Sequence, residues 1–179
     1  IFWSLLLFAF FIRVWKLGHA SYFIDEVNLI RDSATADGYF AIFKLELGRF
    51  NWYHRLPLLG IIIHAASQLL APGTTYPAEW ITRIPFALIG TATLPILYLA
   101  TKQITRSSQA ALWTMALSTL SVFHIYYSRE TYDYSLVMFF TSGTLWMAFK
   151  LLHTGTRLTW PNCIFFVFFA TGSLYSHLT

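Results

Sequence analysis

An all-helical bundle that crosses a membrane several times is the fold class this sequence predicts, and three observations predict it. Hydrophobic residues make up 56% of the 179 residues and charged residues only 11%, where soluble domains carry roughly 25% charged residues. The apolar residues fall into long runs without formal charge, among them residues 84–101, 107–128 and 134–149, and a spanning helix needs about 20 mostly apolar residues. The mean hydropathy is +0.55, which a water-facing domain does not sustain. The formal charge of +4 comes from basic residues that form no run or patch, so nucleic acid is not an expected partner. The single cysteine, Cys163, lies in an apolar run and has no second cysteine to pair with; it reads as a small core residue.

In chain order, residues 1–17 form the first predicted span, with Arg13 and Lys16 at its end. Basic residues there usually snorkel to the headgroups, and that is the expectation for both. The run leads into these cations rather than into a small-residue cleavage site, so a signal peptide is not expected. The chain begins and ends inside apolar runs and reads as the N-terminal part of a longer membrane domain. Residues 18–79 are a long connection with three predicted surface helices, at about 26–36, 38–50 and 55–71. Asp37 is a candidate N-cap for the second. Within it, Phe40, Phe43, Leu47 and Phe50 recur at helical spacing while Lys44, Glu46 and Arg49 take other faces. That amphipathic pattern suits a membrane surface or a face packed on other protein. Residues 81–101, 107–127, 134–152 and 159–177 are the remaining predicted spans. Pro85, Gly90 and Pro95 lie within the second span, where bilayer-embedded helices tolerate them.

Residues 56–71 are apolar enough to span but contain His64, Ser67 and Gln68. Loop charges decide their placement. If this segment does not cross, Lys102, Arg106, Lys150 and Arg157 share one side, and all eight acids (Asp25, Glu26, Asp32, Asp37, Glu46, Glu79, Glu130 and Asp133) share the other. Positive short loops favour the cytoplasm, so the segment is expected to lie in the interface. Five spans follow, and residues 18–79, 128–133 and the end after residue 174 are expected to meet on the outer face of the plasma (inner) membrane. Aromatics gather there too, and most read as an interfacial belt.

Two adjacent carboxylates, Asp25 and Glu26, follow the first span in a chain that spares few charges, and ionisable groups at a membrane edge usually mark function. On the expected topology they meet Glu130, Asp133, Arg13, Arg55, Arg83, Arg129, His54 and His177. Arg83 and Arg129 each have an acid nearby in sequence, Glu79 and Glu130, so ion pairing and phosphate binding stand as equal readings. Glycosyl transfer from a lipid-phosphate sugar fits such a set. A carboxylate takes the proton of the attacking hydroxyl, and arginine or histidine donors stabilise the leaving phosphate. One base with cationic leaving-group stabilisation implies a single displacement with inversion. His54 and His177 are candidate site residues, whereas His19, His64 and His124 read as solvated or helix-packing. A divalent metal is compatible with these residues but not demanded by them.

These residues also carry a resemblance. Phe11-Ile12-Arg13-Val14-Trp15-Lys16-Leu17 followed by Ile24-Asp25-Glu26, then Tyr53-His54-Arg55-Leu56-Pro57-Leu58, Glu79-Trp80-Ile81-Thr82-Arg83-Ile84-Pro85 with Gly90, Tyr127-Ser128-Arg129-Glu130 with Tyr134, and Tyr175-Ser176-His177 resemble, in this order, elements of the GT-C glycosyltransferases. The likeness is to their protein O-mannosyltransferase-like and aminoarabinose-transferase-like branch. Arg55 stands where the family has the first proline of its His-Pro-Pro-Leu element, and Tyr132 where many relatives have a second arginine. The resemblance implies a polytopic membrane enzyme of cell-envelope glycosylation that uses a polyprenyl-phosphate-linked sugar as donor and a glycan, glycolipid or protein as acceptor. It implies Asp25 as the base, with Glu26 orienting substrate or assisting. It places Arg83 and His54 near the lipid phosphate and matches Arg129, Tyr134 and His177 to substrate-binding elements. A multi-pass transporter or lipid flippase is the alternative. Such proteins tend to carry their coupling charges near the bilayer midplane, often with inverted repeats.

Overall fold

The computed structural model describes residues 1–44, 57–153 and 159–176, apart from the side chains of Asp25 and His153. Among the described residues the chain is helical, without a strand. The elements are α1 (Phe2–Val14), α2 (Ile24–Ala34), a helical stretch at residues 39–44, α3 (Pro57–Leu70), α4 (Glu79–Thr105), α5 (Ser108–Leu120), α6 (Val122–Tyr127), α7 (Tyr134–His153) and α8 (Trp160–Ser176). The predicted surface helices at 26–36 and 55–71 thus correspond to α2 and α3. The predicted helix at 38–50 is described only as far as residue 44.

Local chemistry sets these boundaries. Phe23 offers no side-chain acceptor at the start of α2. Glu26 instead reaches back, and its Oε2 accepts from the Phe23 backbone N–H at 3.0 Å, which is half of a capping box. Pro57 opens α3, where its fixed φ suits the first helical position. Arg106 closes α4 in the left-handed conformation, φ 55°. Ser107 then caps α5, its side chain accepting from Ala110 N at 3.2 Å.

One predicted element divides. The run at 107–127 is not one helix, because Ser121 takes an extended conformation (φ −63°, ψ 116°). Its hydroxyl accepts from His124 N at 3.4 Å and so starts α6. The charge-free run hid this stop, because a serine raises no hydropathy signal although its hydroxyl competes for backbone donors. Two helices, Glu79–Thr105 and Tyr134–Leu152, are long and apolar enough to cross a membrane. Helix α1, at 13 residues, rises only about 20 Å.

Helix α4 is the axis of the bundle: α1, α3, α5 and α7 pack against it, α8 packs on α7, and α2 on α3. The main core joins Leu29 and Ile30 of α2, Leu59 and Ile63 of α3, Phe86 and Ile96 of α4, Phe140 and Met147 of α7, and Phe169 of α8. A smaller cluster of Ala9, Leu94 and Met115 joins α1, α4 and α5. Between α7 and α8 the fit is reciprocal. The Phe169 ring fills the space a Cβ on Gly143 would need, and the Phe140 ring does the same at Gly172. Large apolar side chains remain exposed on α1 (Trp3, Leu7, Phe11), α5 (Trp113, Leu117) and α8 (Phe165, Phe168).

Helices α2 and α3 are tied to each other by polar contacts as well. His64 of α3 donates from Nδ1 to Ser33 O at 2.8 Å, and Gln68 donates to Ala34 O at 3.3 Å. Both satisfy carbonyls at the C-terminal end of α2, which the helix leaves open. His64 is therefore a helix-packing residue.

Candidate functional site

The site gathers where the start of α2, the first turns of α4 and the loop between α6 and α7 converge. Asp25 and Glu26 occupy the first turn of α2, where the helix dipole favours negative charge. Glu26 is 2% exposed and fully engaged. Its Oε2 accepts from Phe23 N and from Arg83 Nη2, both at 3.0 Å, and its Oε1 accepts from Thr131 N at 2.7 Å. One carboxylate thus holds three segments together.

Arg83 lies in the second turn of α4 and is 1% exposed. Besides Glu26, its guanidinium donates to Ala20 O at 2.6 Å, Ser21 O at 3.3 Å and Leu17 O at 3.4 Å, and it sits 5.4 Å from the centre of the Tyr22 ring. It therefore organises the loop between α1 and α2. Tyr22 extends that brace, donating to Pro77 O at 2.7 Å and lying 3.0 Å from Thr82 Oγ1. The sequence neighbour Glu79 is not the ion partner of Arg83; the partners are Glu26 and, at 3.8 Å, Glu130. Arg129 likewise spends itself on backbone, donating to Ile12 O at 3.1 Å, Trp15 O at 2.8 Å and Lys16 O at 3.3 Å. These are carbonyls at the end of α1, where a cation also suits the dipole.

Glu130 differs from Glu26. Its Oε2 is buried and accepts no hydrogen bond. Burial and then the adjacent Glu26 carboxylate, opposed by Arg83, push its pKa up to about 7. Glu26 already holds the strong donors, so the second carboxyl group of the pair keeps its proton more readily.

Two pockets flank this wall. One, of about 330 Å³, is lined by Phe23, Ile24, Glu26, Glu130 and the rings of Tyr126, Tyr127, Tyr132 and Tyr134. Tyr132 and Tyr134 stack with their planes 12° apart, and Tyr127 meets Tyr134 with centroids 4.4 Å apart. Asp25 lies in the chain between two residues of this lining. The other pocket, of about 260 Å³, is lined by Trp15, Lys16, Leu17, His19, Ala20, Arg83, Arg129 and Glu130.

A second polar group lies deeper. Arg13 was expected to snorkel, but it is fully buried. It donates to Ala9 O at 2.9 Å, and its Nη2 lies 2.7 Å from His124 Nδ1. Arginine only donates, so Nδ1 must accept and the His124 proton sits on Nε2. Ser128 closes the group, its hydroxyl donating to His124 O at 2.5 Å. Snorkelling fails here because Arg13 faces α6 rather than the bundle's outer surface.

Of the candidates read from the sequence, Glu26, Arg83, Arg129 and Tyr134 are brought together around these two pockets. His54 and His177 lie outside the described residues. The pocket linings also hold Glu130, Lys16, His19, Tyr126, Tyr127 and Tyr132, which the sequence leaves as loop charges, a solvated histidine and an interfacial belt. The Tyr-Ser-Arg-Glu element carried Glu130, but its neighbour Arg129 drew the attention because a cation suggests phosphate. Among the described residues no group of three histidine, cysteine or acidic side chains could hold a metal ion. The chain matches no family model, no curated protein and no solved structure.

Proposed function

We propose that the chain is part of a polytopic membrane glycosyltransferase of the GT-C type. It moves a sugar from a polyprenyl-phosphate donor to an acceptor hydroxyl at the outer face of the membrane, with inversion. The single observation that carries the reading is the pairing of pockets: a cation-lined pocket beside a tyrosine-lined one, sharing a carboxyl wall. A sugar phosphodiester has that two-part chemistry. Lysine and histidine donors, backed by the charge of Arg83 and Arg129, match the phosphate, and aromatic rings with a few convergent polar groups match a compact ligand. The exposed apolar side chains of α1, α5 and α8 and the two long apolar helices support placement in a bilayer, with α1, α5–α6 and α8 completing the spans.

In this reading Asp25 takes the proton of the acceptor hydroxyl. The acceptor oxygen bonds to the anomeric carbon, and the bond from that carbon to the phosphate oxygen breaks with its electron pair left on the phosphate. The products are a glycoside and the polyprenyl phosphate. Glu26 and Arg83 are positioning residues, since their hydrogen bonds fix the start of α2 and the loop before it.

The test is sugar transfer by the protein in lipid nanodiscs, supplied with radiolabelled polyprenyl-phosphate sugars. Asp25→Asn is expected to abolish transfer while expression and thermal unfolding stay as in the parent. Undiminished transfer in that variant removes Asp25 from the mechanism.

One observation favours a multi-pass transporter or flippase instead. The break at Ser121 stands beside the buried Arg13–His124 pair, and broken helices with buried charge are a transporter device. Movement of a fluorescent polyprenyl-phosphate analogue across proteoliposomes, lost in Arg13→Met but not in Asp25→Asn, would establish that reading over the enzyme.

A further inference from the structure

We infer that Glu130 touches the substrate, its carboxyl group standing between the two halves of one phosphodiester ligand. The anion occupies the pocket of Lys16, His19, Arg83 and Arg129, and the ring substituent occupies the tyrosine-lined pocket. The inference rests on the reading of the site given above and deepens it. Among the described residues, Glu130 alone lines both pockets. A ligand bridging them must therefore pass its carboxyl group.

The chemistry of the contact depends on the proton. A carboxylate facing a phosphodiester repels it, whereas a carboxylic acid donates a hydrogen bond to it. Glu130 is placed to remain the acid. The donors go to its neighbour Glu26, supplied with two backbone N–H groups and Arg83, while Glu130 Oε2 accepts nothing. With its pKa near 7, Glu130 is protonated on the acid side of neutrality and charged on the alkaline side. Anion affinity therefore falls as pH rises through that value.

The other groups facing Glu130 are Glu26 from α2, Arg83 from α4, Arg129 beside it, Lys16 and His19 from the loop after α1, and the phenols of Tyr126 and Tyr127 from α6 and of Tyr132 and Tyr134 at the start of α7. Asp25 lies one residue from Glu26 on α2. His19 is the confounding group. It lines the anion pocket and is itself titratable.

Farnesyl methyl phosphate separates these contributions, because a phosphodiester carries one charge throughout the pH range used and needs no turnover to bind. Its affinity for the protein in neutral-lipid nanodiscs is measured from about pH 6 to about pH 8.5. In the parent it is expected to weaken ~tenfold; in Glu130→Gln the change is expected to fall to within ~twofold, and in His19→Gln the parental dependence is expected to persist. A parental pH dependence in Glu130→Gln, or its loss in His19→Gln alone, overturns the assignment to Glu130. Absence of probe binding at every pH overturns the lipid-phosphate reading itself, so the two failures are distinct. If Glu130→Gln does not fold, infrared difference spectra of the parent give the answer. Probe binding at about pH 6 must shift a protonated-carboxyl band, and a spectrum without such a shift overturns the assignment.

Discussion

Two arginines are buried among the described residues, Arg13 and Arg83, and their surroundings have little in common. Arg83 meets a carboxylate, three backbone carbonyls and a tyrosine ring. Arg13 meets one carbonyl and one imidazole; the Nε of each arginine is buried without a partner. Arg83 belongs to a brace that holds loops in place, and its bonds run to residues 57 to 66 positions away. Arg13 joins α1 to α6 through His124, and its charge is met there only by dipoles. The contrast teaches that burial alone does not tell what an arginine does. A charge met by a carboxylate fixes geometry, whereas one met only by dipoles is a cost the fold sustains elsewhere.

The largest expected effect lies at the compensated pair. Arg83→Met leaves Glu26 as an unpaired buried carboxylate and is expected to destabilise the protein by about 3–5 kcal/mol, read as a fall in thermal unfolding temperature. The double variant Arg83→Met with Glu26→Gln should recover part of that loss. An Arg83→Met protein as stable as the parent would break the contrast, because the brace would then carry no weight.

A smaller effect is expected at the undercompensated pair. His124→Leu strips the acceptor from Arg13 and should cost about 1–3 kcal/mol. Arg13→Met with His124→Leu together should be neutral or stabilising, as replacing a poorly paired buried group by packed apolar side chains often is. A double variant clearly less stable than either single one would mean that the pair contributes specific geometry.

The smallest effect is a slope. The pKa of Glu130 rises from 4.5 to about 7 on folding, so the folded chain binds the proton more tightly than the unfolded chain between those values. Its contribution to stability is complete below about 4.5 and is lost as pH rises through about 7. Unfolding temperatures measured across that window should therefore decline in the parent, and the decline should lessen in Glu130→Gln. An equal slope in both proteins would show that Glu130 does not titrate there.

Much of this was legible in the sequence, and what was not has identifiable physical causes. Apolar runs marked the helices of the bundle, and the acidic connection after the first run proved to hold α2 and α3. Both follow from periodicity and charge, which are properties of the chain itself. The break at Ser121 was invisible because a single hydroxyl decides it. The partners of Arg83 were missed because sequence proximity pointed to Glu79, whereas the fold delivers Glu26 from 57 positions away. Arg129 was read beside Glu130, yet it binds the end of α1. Long-range pairing of charges depends on how loops return, and no local pattern encodes that. The convergence of Glu26, Arg83 and Glu130 was anticipated by sorting loop charges to one side, an argument about the whole chain.

The reciprocal seating of Phe169 over Gly143 and of Phe140 over Gly172 bears on how the bundle can move. Each ring occupies a notch only a residue without a side chain can provide. Sliding α8 along α7 by a single helical turn would drive both rings against bulkier neighbours at once, and rotating it would do the same. The two helices therefore travel as one body.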